Sequence, residues 1–389
     1  MIKTASSLSS LALVLIATSL AGTGALAQTK PQAYPDKPLT LIIPNAAESA
    51  ADDLARLIGE RLGSVLGQPV QFDNVAGANG TLGAARAAKA NVDGYSLMLG
   101  TLNTHSSAPA LYPNLAYDPI KDFDPVGLIA TSPFVIIANR GNEAKDFRAL
   151  SAKIKVGGEQ ITLAHAGIGT SSYMAGLYLS SLMGAHPKMV AYNGSGPAMN
   201  DLVAAEVEVM SDQLTNVMPQ ISAGAVRAYG IGAPRRLAIL PDVPPVQDQG
   251  LKGFAASGWY GLFVPHGTAK DVIGKLNTAL GKVLDQPQIR DSLNEMGALV
   301  PEKANRTPAA LQKYVASELG RWTPLLKSAG AIAPQPISPT SLPVGTTAPM
   351  PPANVQHVIP AETANPTPPA SAATPAPLTA PAPAPTLSK

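Results

Sequence analysis

The fold class is set by residues 39–66, which read LTLIIPNAAESAADDLARLIGERLGSVL. The run Leu39–Ile43 is almost wholly apolar and is bounded by prolines, as expected of a strand covered on both faces. Seven apolar residues then recur at intervals of three and four, which predicts one buried stripe on a helix. They are Ala51, Leu54, Ala55, Ile58, Leu62, Val65 and Leu66. A buried strand followed at once by an amphipathic helix is typical of an α/β fold.

The alternation of strand and helix continues to about residue 330. Strands at Val70–Val75 and Ser96–Gly100 flank a short helix at Ala84–Ala90, and this βαβαβ order predicts a parallel sheet. A core of about 300 residues predicts two domains. The later predicted elements are strands Val135–Ala138, Gln160–Ala164, Val207–Ser211, Val226–Gly232 and Tyr260–Val264, and helices Ser172–Met183 and Pro197–Ala205.

Two more helices are predicted near the end of this middle region. Thr268 and Asp271 have the spacing of a capping box, which predicts that Thr268 caps the first of them. Thr307 followed by Pro308 is typical of an N-cap with proline at the first helical position, which predicts the start of the second.

Both ends of the chain differ from this α/β middle. Lys3, the apolar run Leu11–Leu20 and the small residues Ala25–Ala27 predict a cleavable export signal over residues 1–27. The apolar run is too short to span a bilayer, so we expect the protein to work outside the cytoplasm. Residues 334–389 are rich in proline and alanine and poor in charge, which predicts a disordered tail.

Composition and spacing exclude several function classes. The chain has no cysteine, so it has no disulfide, no thiolate metal site and no lipid-bearing cysteine. A net charge of +2 predicts no nucleic-acid partner, and the five histidines lack metal-ligand spacing. Gly167-Ile168-Gly169 lacks the third glycine of a dinucleotide site, and Gly194-Ser195-Gly196 does not extend to a nucleophile elbow. We therefore expect no metal, no cofactor and no enzymatic activity.

Small and polar residues recur where strands end and helices begin. The three stretches are Pro44–Ala51, Ala164–Ser172 and Tyr192–Pro197. Helix N-termini offer unpaired N–H groups and a positive dipole end, so several of them together would bind a small anion between two domains. Taken singly, each stretch is better explained as a tight turn.

Short motifs spread over residues 34–330 carry a family resemblance. They are Tyr34-Pro35-Asp36-Lys37-Pro38-Leu39, Asp73-Asn74 with Gly77, Gly80 and Gly83, Asp93-Gly94-Tyr95, Pro109-Ala110-Leu111-Tyr112, Tyr117-Asp118-Pro119 with Lys121-Asp122-Phe123, Pro241-Asp242-Val243-Pro244 and Trp259-Tyr260-Gly261-Leu262. In this order and spacing they resemble the Bug proteins, which are the extracytoplasmic solute receptors of tripartite tricarboxylate transporters. The resemblance does not cover the tail.

The resemblance implies a type II periplasmic-binding-protein fold of two α/β lobes with a central cleft. Lobe 1 would comprise residues 34–133 and 257–330, and lobe 2 residues 134–256. The implied function is a periplasmic protein that captures a small organic acid or related solute, such as a carboxylate, amino acid or aromatic acid, for membrane subunits of the transporter. Three alternatives stay open: a ligand sensor that signals to a membrane histidine kinase, an extracytoplasmic hydrolase, and a structural envelope role.

The family motif also implies a ligand-binding set. From lobe 1 it comprises Asn45, Ala47, Glu48, Ser49, Asp52, Asn79, Thr101 and His105, and from lobe 2 Gly169, Thr170, Ser171, Ser172, Tyr192, Asn193, Gly194, Ser195 and Asp212.

The sequence departs from the family pattern at three places. Glu48-Ser49 stands where a Gly-Gly pair is usual, Asn45 where an aromatic residue is usual, and Asn193 where lysine is common. A carboxylate repels an incoming carboxylate, and loss of a lysine removes a compensating charge. One hypothesis is that the ligand turns an amine, an amide or a neutral polar group toward Glu48. The alternative is that Glu48 points to solvent.

Overall fold

The computed structural model describes residues 34–332, so the predicted export signal and Pro/Ala tail lie outside the described residues. None of the helices in the described part is long and apolar enough to cross a membrane. The strands are β1 Leu39–Ile43, β2 Val70–Asn74, β3 Ser96–Thr101, β4 Phe123–Asn139, β5 Thr162–His165, β6 Lys188–Ala191, β7 Val209–Gln213, β8 Val226–Ile231 and β9 Ser257–Pro265. The helices are α1 Ala50–Leu66, α2 Thr81–Ala88, α3 Ala108–Leu111, α4 Phe147–Gly157, α5 Ser171–Met183, α6 Ser195–Val203, α7 Leu214–Ser222, α8 Lys270–Leu284, α9 Pro287–Glu295 and α10 Pro308–Ser328.

The strands form one mixed sheet in the order β2-β1-β3-β9-β4-β7-β5-β6, with β8 also paired to β4. At one end β2, β1 and β3 are parallel, and at the other β7, β5 and β6 are parallel. Between these two groups β9 runs antiparallel to both β3 and β4. In both parallel groups, helices follow the carboxyl ends of strands. Ligands bind at these strand ends in open α/β sheets.

Strand β4 is 17 residues long and belongs to both halves of the sheet. Its first part, up to Pro133, pairs with β9. From Phe134 onward it pairs with β7 and β8. We call the part built on β1, β2, β3 and β9 the first half, and the part built on β5, β6, β7 and β8 the second half.

Helix α1 shows how the sequence fixes the first half. Ser49 caps it, because its Oγ accepts a hydrogen bond from the Asp52 N–H. It ends at Gly67, whose φ of 77° is the left-handed conformation typical of a helix C-terminus. The apolar face packs in one core with the side chains of β1, α8 and α9. Of the predicted stripe, Ala51, Leu54, Ala55, Ile58 and Leu62 are buried, and Val65 and Leu66 are partly buried.

The parallel sheet predicted for the βαβαβ unit is confirmed, because β1 runs parallel to both β2 and β3. The sheet as a whole is mixed, because alternation of strand and helix does not specify the direction of β4 and β9. Two sequence predictions about the fold are corrected. Thr268 does not cap α8: its hydroxyl donates to the Pro265 carbonyl, and α8 begins after Ala269 without a side-chain cap. Three helices follow β9 and not two, and the predicted N-cap Thr307 of the last one is confirmed. Strand β6 and helices α3, α4, α7 and α9 were not predicted.

Candidate functional site

Five helices begin around one central cavity of about 750 Å³. The lining includes residues at or next to the first turns of α1, α2, α5, α6 and α7. Each of these helices follows a strand of the sheet with a short loop or none, so their N-termini meet along one edge. The sequence prediction that polar loops converge at helix starts thus describes a real cavity in the structure.

Nine residues of the predicted ligand-binding set line the central cavity. Asn45, Ser49, Asn79 and Thr101 come from the first half, and Thr170, Ser171, Asn193, Gly194 and Ser195 from the second. The two halves also touch at the cavity. The Asn79 Nδ2 donates to the Ile168 carbonyl at 2.5 Å, and the Ser107 hydroxyl donates to the Gly169 carbonyl at 3.0 Å. In this structure the loop before α5 therefore contacts the first half.

Among the described residues that line the central cavity, none carries a formal charge. The first-turn N–H groups of a helix have no intrahelical acceptor, and each helix start carries a positive partial charge of roughly half an elementary charge. The side chains add hydroxyl and amide groups, which can form hydrogen bonds with the polar atoms of a ligand. The cavity therefore suits a small anion with polar substituents.

Asp52 does not line the central cavity but holds the loop between β1 and α1 that does. Its side chain is 2% exposed, and it accepts hydrogen bonds from the Glu48 N–H, the Arg56 Nε and the Asn74 Nδ2. Burial alone would raise the pKa of Asp52, but the hydrogen bonds from Arg56, Asn74 and the Glu48 N–H outweigh it and hold that pKa below its usual value. We infer that Asp52 is an ionised carboxylate and that it holds in place the loop between β1 and α1, which forms part of the cavity wall.

Glu48 is exposed and turned away from the central cavity. It lines a neighbouring cavity, together with Asp53 and Glu295. Its backbone has a φ of 61°, the left-handed conformation that favours glycine. The geometry supports the alternative in which Glu48 points to solvent. The first glycine of the family's usual pair is then explained by the backbone conformation at this turn.

Glu48→Gly should raise the free energy of unfolding by about 0.5–1 kcal/mol, because glycine adopts the left-handed conformation without a Cβ clash. Glu48→Ala is the matched control: it removes the same charge but keeps the Cβ, so we expect no gain. Urea unfolding of the three proteins measures this difference. An equal gain in both variants would mean that charge and not backbone conformation is responsible. We expect ligand preference to be the same in all three proteins.

His105 lies in the core and not on the cavity wall. Its ring is fully buried and stacks on Phe263 at 4.1 Å between centroids, and its Nδ1 lies 2.9 Å from the Thr104 hydroxyl. Its Nε2 has no hydrogen-bond partner among the described residues. Burial lowers the pKa of His105 to about 3. The ring is therefore neutral in the folded protein and contributes to packing.

Because the pKa of His105 is lower in the folded state than the usual 6.5, acid should favour the unfolded state. The contribution of the neutral ring is fully present above about pH 6.5 and is lost as the pH falls toward 3. Between pH 7.5 and pH 5 this amounts to about 2 kcal/mol. His105→Phe should reduce the loss of stability over that interval by about this amount. Urea unfolding at both pH values separates titration from any packing cost, and parallel losses in both proteins would contradict the prediction.

The other predicted residues support the cavity without lining it. Ala47 lies in the exposed turn before α1, and the Ser172 Oγ accepts from the Ala166 N–H. The Tyr192 hydroxyl donates to Asp201, and the Gly169 carbonyl accepts from Ser107. Asp212 is completely buried behind the wall. Burial raises the pKa of Asp212, and hydrogen bonds from Gln213, Ser171, Asn216 and Ser195 oppose this shift.

Four polar residues of the lining are outside the predicted set: Asn103, Gln213, Asn216 and Tyr260. Gln213 ends β7 and Asn216 lies in the first turn of α7, so the pattern of a strand end followed by a helix start applies here too. The sequence analysis predicted no helix here, and Pro219 lies inside α7, where proline is unfavourable. The Tyr260 hydroxyl lies 3.1 Å from the Thr215 hydroxyl, and burial raises the pKa of Tyr260 to about 12.

The chain is similar in sequence and fold to known proteins. Residues 54–331 match the family described as tripartite tricarboxylate transporter family receptor, TctC. MatC from Rhodopseudomonas palustris, solved with bound malate, is 39% identical with a TM-score of 0.69, over 75% of this chain and 100% of that one. The periplasmic binding protein BugD is 37% identical with a TM-score of 0.69, over 77% and 99%. A second R. palustris protein, solved with adipate, is 28% identical with a TM-score of 0.71, over 78% and 100%.

Proposed function

The chain belongs to the tripartite tricarboxylate transporter receptor family, and from this premise we propose that it captures a small organic acid in the central cavity for the membrane subunits of such a transporter. The resemblance to Bug proteins and the α/β periplasmic-binding-protein fold, both predicted from the sequence, are confirmed by the family match and by the solved relatives. Proteins of this family are solute-binding receptors and not enzymes. We propose that the chain works in the periplasm, as the predicted export signal would require.

One observation carries the proposal of an organic acid: five helices begin around a cavity whose described lining has no charged side chain. Such a wall stabilises negative charge through N–H groups and helix dipoles, which do not depend on a matching cation. The relatives solved with malate and adipate hold dicarboxylates. A cavity of about 750 Å³ has room for an acid of this size.

We propose that the two halves of the sheet are two lobes, residues 34–133 with 257–330 and residues 134–256, which open to admit the ligand. Support comes from β4, which changes partners between Pro133 and Phe134. Support also comes from the contacts of Asn79 with Ile168 and of Ser107 with Gly169, which join the halves beside the cavity. Opening must break these two hydrogen bonds, as in hinge motion around a ligand.

A thermal-shift screen of the full chain tests the proposal. We expect four- to six-carbon dicarboxylates to raise the melting temperature, because a ligand at a hundredfold excess over its dissociation constant adds about 2.7 kcal/mol of stability. The corresponding diamides have the same shape without charge, and they should give no shift. Equal shifts with acids and diamides, or none with any acid, would refute an organic-acid receptor.

A further inference from the structure

A buried carboxylate lies directly behind the second-half wall of the central cavity. Both oxygens of the fully buried Asp212 accept hydrogen bonds from residues that line the cavity. The Ser171 hydroxyl donates to Oδ1 at 2.8 Å and the Ser195 hydroxyl donates to Oδ2 at 3.1 Å. The Gln213 N–H adds a bond of 2.7 Å, and the Asn216 Nδ2 lies 3.1 Å from each oxygen.

These contacts determine which hydrogen bonds the side chains of Ser171 and Ser195 can form with a ligand. A carboxylate only accepts hydrogen bonds, so it takes the single proton of each hydroxyl. The oxygens of Ser171 and Ser195 then face the cavity as acceptors, with no proton left to donate to a carboxylate. Each serine is also the first residue of its helix, where N–H groups lack intrahelical acceptors. Donors for an acid group and acceptors for a neighbouring donor therefore stand side by side.

We propose that Asp212 is a positioning residue that fixes Ser171 and Ser195 as acceptors, so that the cavity selects carboxylic acids with a hydroxyl or ammonium group on the carbon next to the carboxylate. This inference rests on the proposed function, because it assumes that an organic acid occupies the central cavity. An acid with only hydrogen atoms on that carbon leaves the serine oxygens without a donor. A buried acceptor without a partner is unfavourable, so the unsubstituted acid binds more weakly.

Matched acids measure this selection directly. Succinate, malate and aspartate differ only in carrying hydrogen, hydroxyl or ammonium at carbon 2, and adipate, 2-hydroxyadipate and 2-aminoadipate form the same series with six carbons. Calorimetric titration of the full chain should show the hydroxyl or the ammonium acid of a series binding about tenfold or more tightly than the unsubstituted acid. Comparing the affinities of the hydroxyl acid and the ammonium acid in each series shows which of the two groups the cavity prefers.

Variants then assign the selection to the three residues. The double variant Ser171→Ala with Ser195→Ala should bring the affinity ratio within a series close to one. Asp212→Asn should also reduce the ratio, because its amide donates to one serine and frees that serine's proton. A merely structural role for Asp212 would weaken all acids equally and leave the ratio unchanged. Ser181→Ala is the matched control, since this serine lies on the same helix α5 but is exposed and does not line the cavity.

Two kinds of result would overturn the inference. The first would leave the organic-acid receptor in place, and the second would not. Equal affinities within each series, or a ratio that survives the double serine variant, would overturn the role of Asp212 while the organic-acid receptor stands. No binding of any of the six acids would overturn both.

Discussion

Thr170→Asp is expected to weaken binding of a dicarboxylate by more than about 100-fold, whereas Thr170→Asn should bind within a few-fold of the unchanged protein. Thr170 lines the central cavity and caps α5, where its side chain accepts from the Tyr173 N–H. A new carboxylate about 5 Å from that of the ligand costs about 3 kcal/mol at the effective dielectric constant of roughly 20 found in proteins. No described residue of the lining could compensate it with a positive charge.

The asparagine variant is the control for this experiment, because aspartate and asparagine cap helices about equally well. Both variants should therefore keep α5 and the free energy of unfolding, which urea titration verifies. Calorimetric titration gives the affinities. Similar losses in both variants would mean that Thr170 matters for its shape and not for the potential at the helix start. Unchanged binding of the aspartate variant would place the anion elsewhere.

Asp52→Ala is expected to lower the free energy of unfolding by about 3 kcal/mol, the low end for breaking a buried charged pair. The change removes the acceptor shared by Glu48, Arg56 and Asn74. The loss stays at that low end because Arg56 is 40% exposed and remains hydrated. Binding should weaken as well, because the loop after β1 loses the carboxylate that joins its Glu48 N–H to Asn74 of β2.

Asp53→Ala is the matched control, since Asp53 is the next residue in the same helical turn but is exposed. Its loss should cost no more than about 0.5 kcal/mol, the usual size of a helix-dipole effect. The pH dependence adds a second check. The pKa of Asp52 is lowered in the folded state, so its contribution is present above about pH 4 and is lost as the pH falls through the folded pKa. The difference between Asp52→Ala and the unchanged protein should therefore narrow in acid, and a constant difference would exclude an ionised Asp52.

The sequence predicted those parts of the fold in which local pattern determines structure. The strand Leu39–Ile43 and helix α1 follow from one apolar run and one stripe, and both have the expected position. The direction of β4 and β9 could not be predicted, because antiparallel pairing between distant segments leaves no trace in periodicity. Helix α7 was not predicted, and it contains Pro219, a residue that disfavours helix interiors; the cavity residue Asn216 lies in this helix and was not predicted either.

In the candidate site, too, local sequence pattern predicted some features and could not predict others. Serine, threonine and asparagine residues before helices predicted most of the polar cavity lining, because helix starts and strand ends meet at one edge of the sheet. Which of these side chains face inward depends on side-chain packing that the sequence does not display. His105 and Asp212 belong to the same stretches as their cavity-lining neighbours, yet both are buried behind the wall. Glu48 occupies a glycine-like turn, and only its backbone angle shows why glycine is usual there.

Amide NMR during a titration of the full chain shows whether amide groups at helix starts hold the acid. We expect a dicarboxylate that binds to shift the N–H resonances of Ala50, Ser171 and Ser195 downfield together, with one shared affinity, because charged acceptors strengthen these hydrogen bonds. The matching diamide should leave them in place. A bound acid that shifts other resonances while these three stay unchanged would contradict the account.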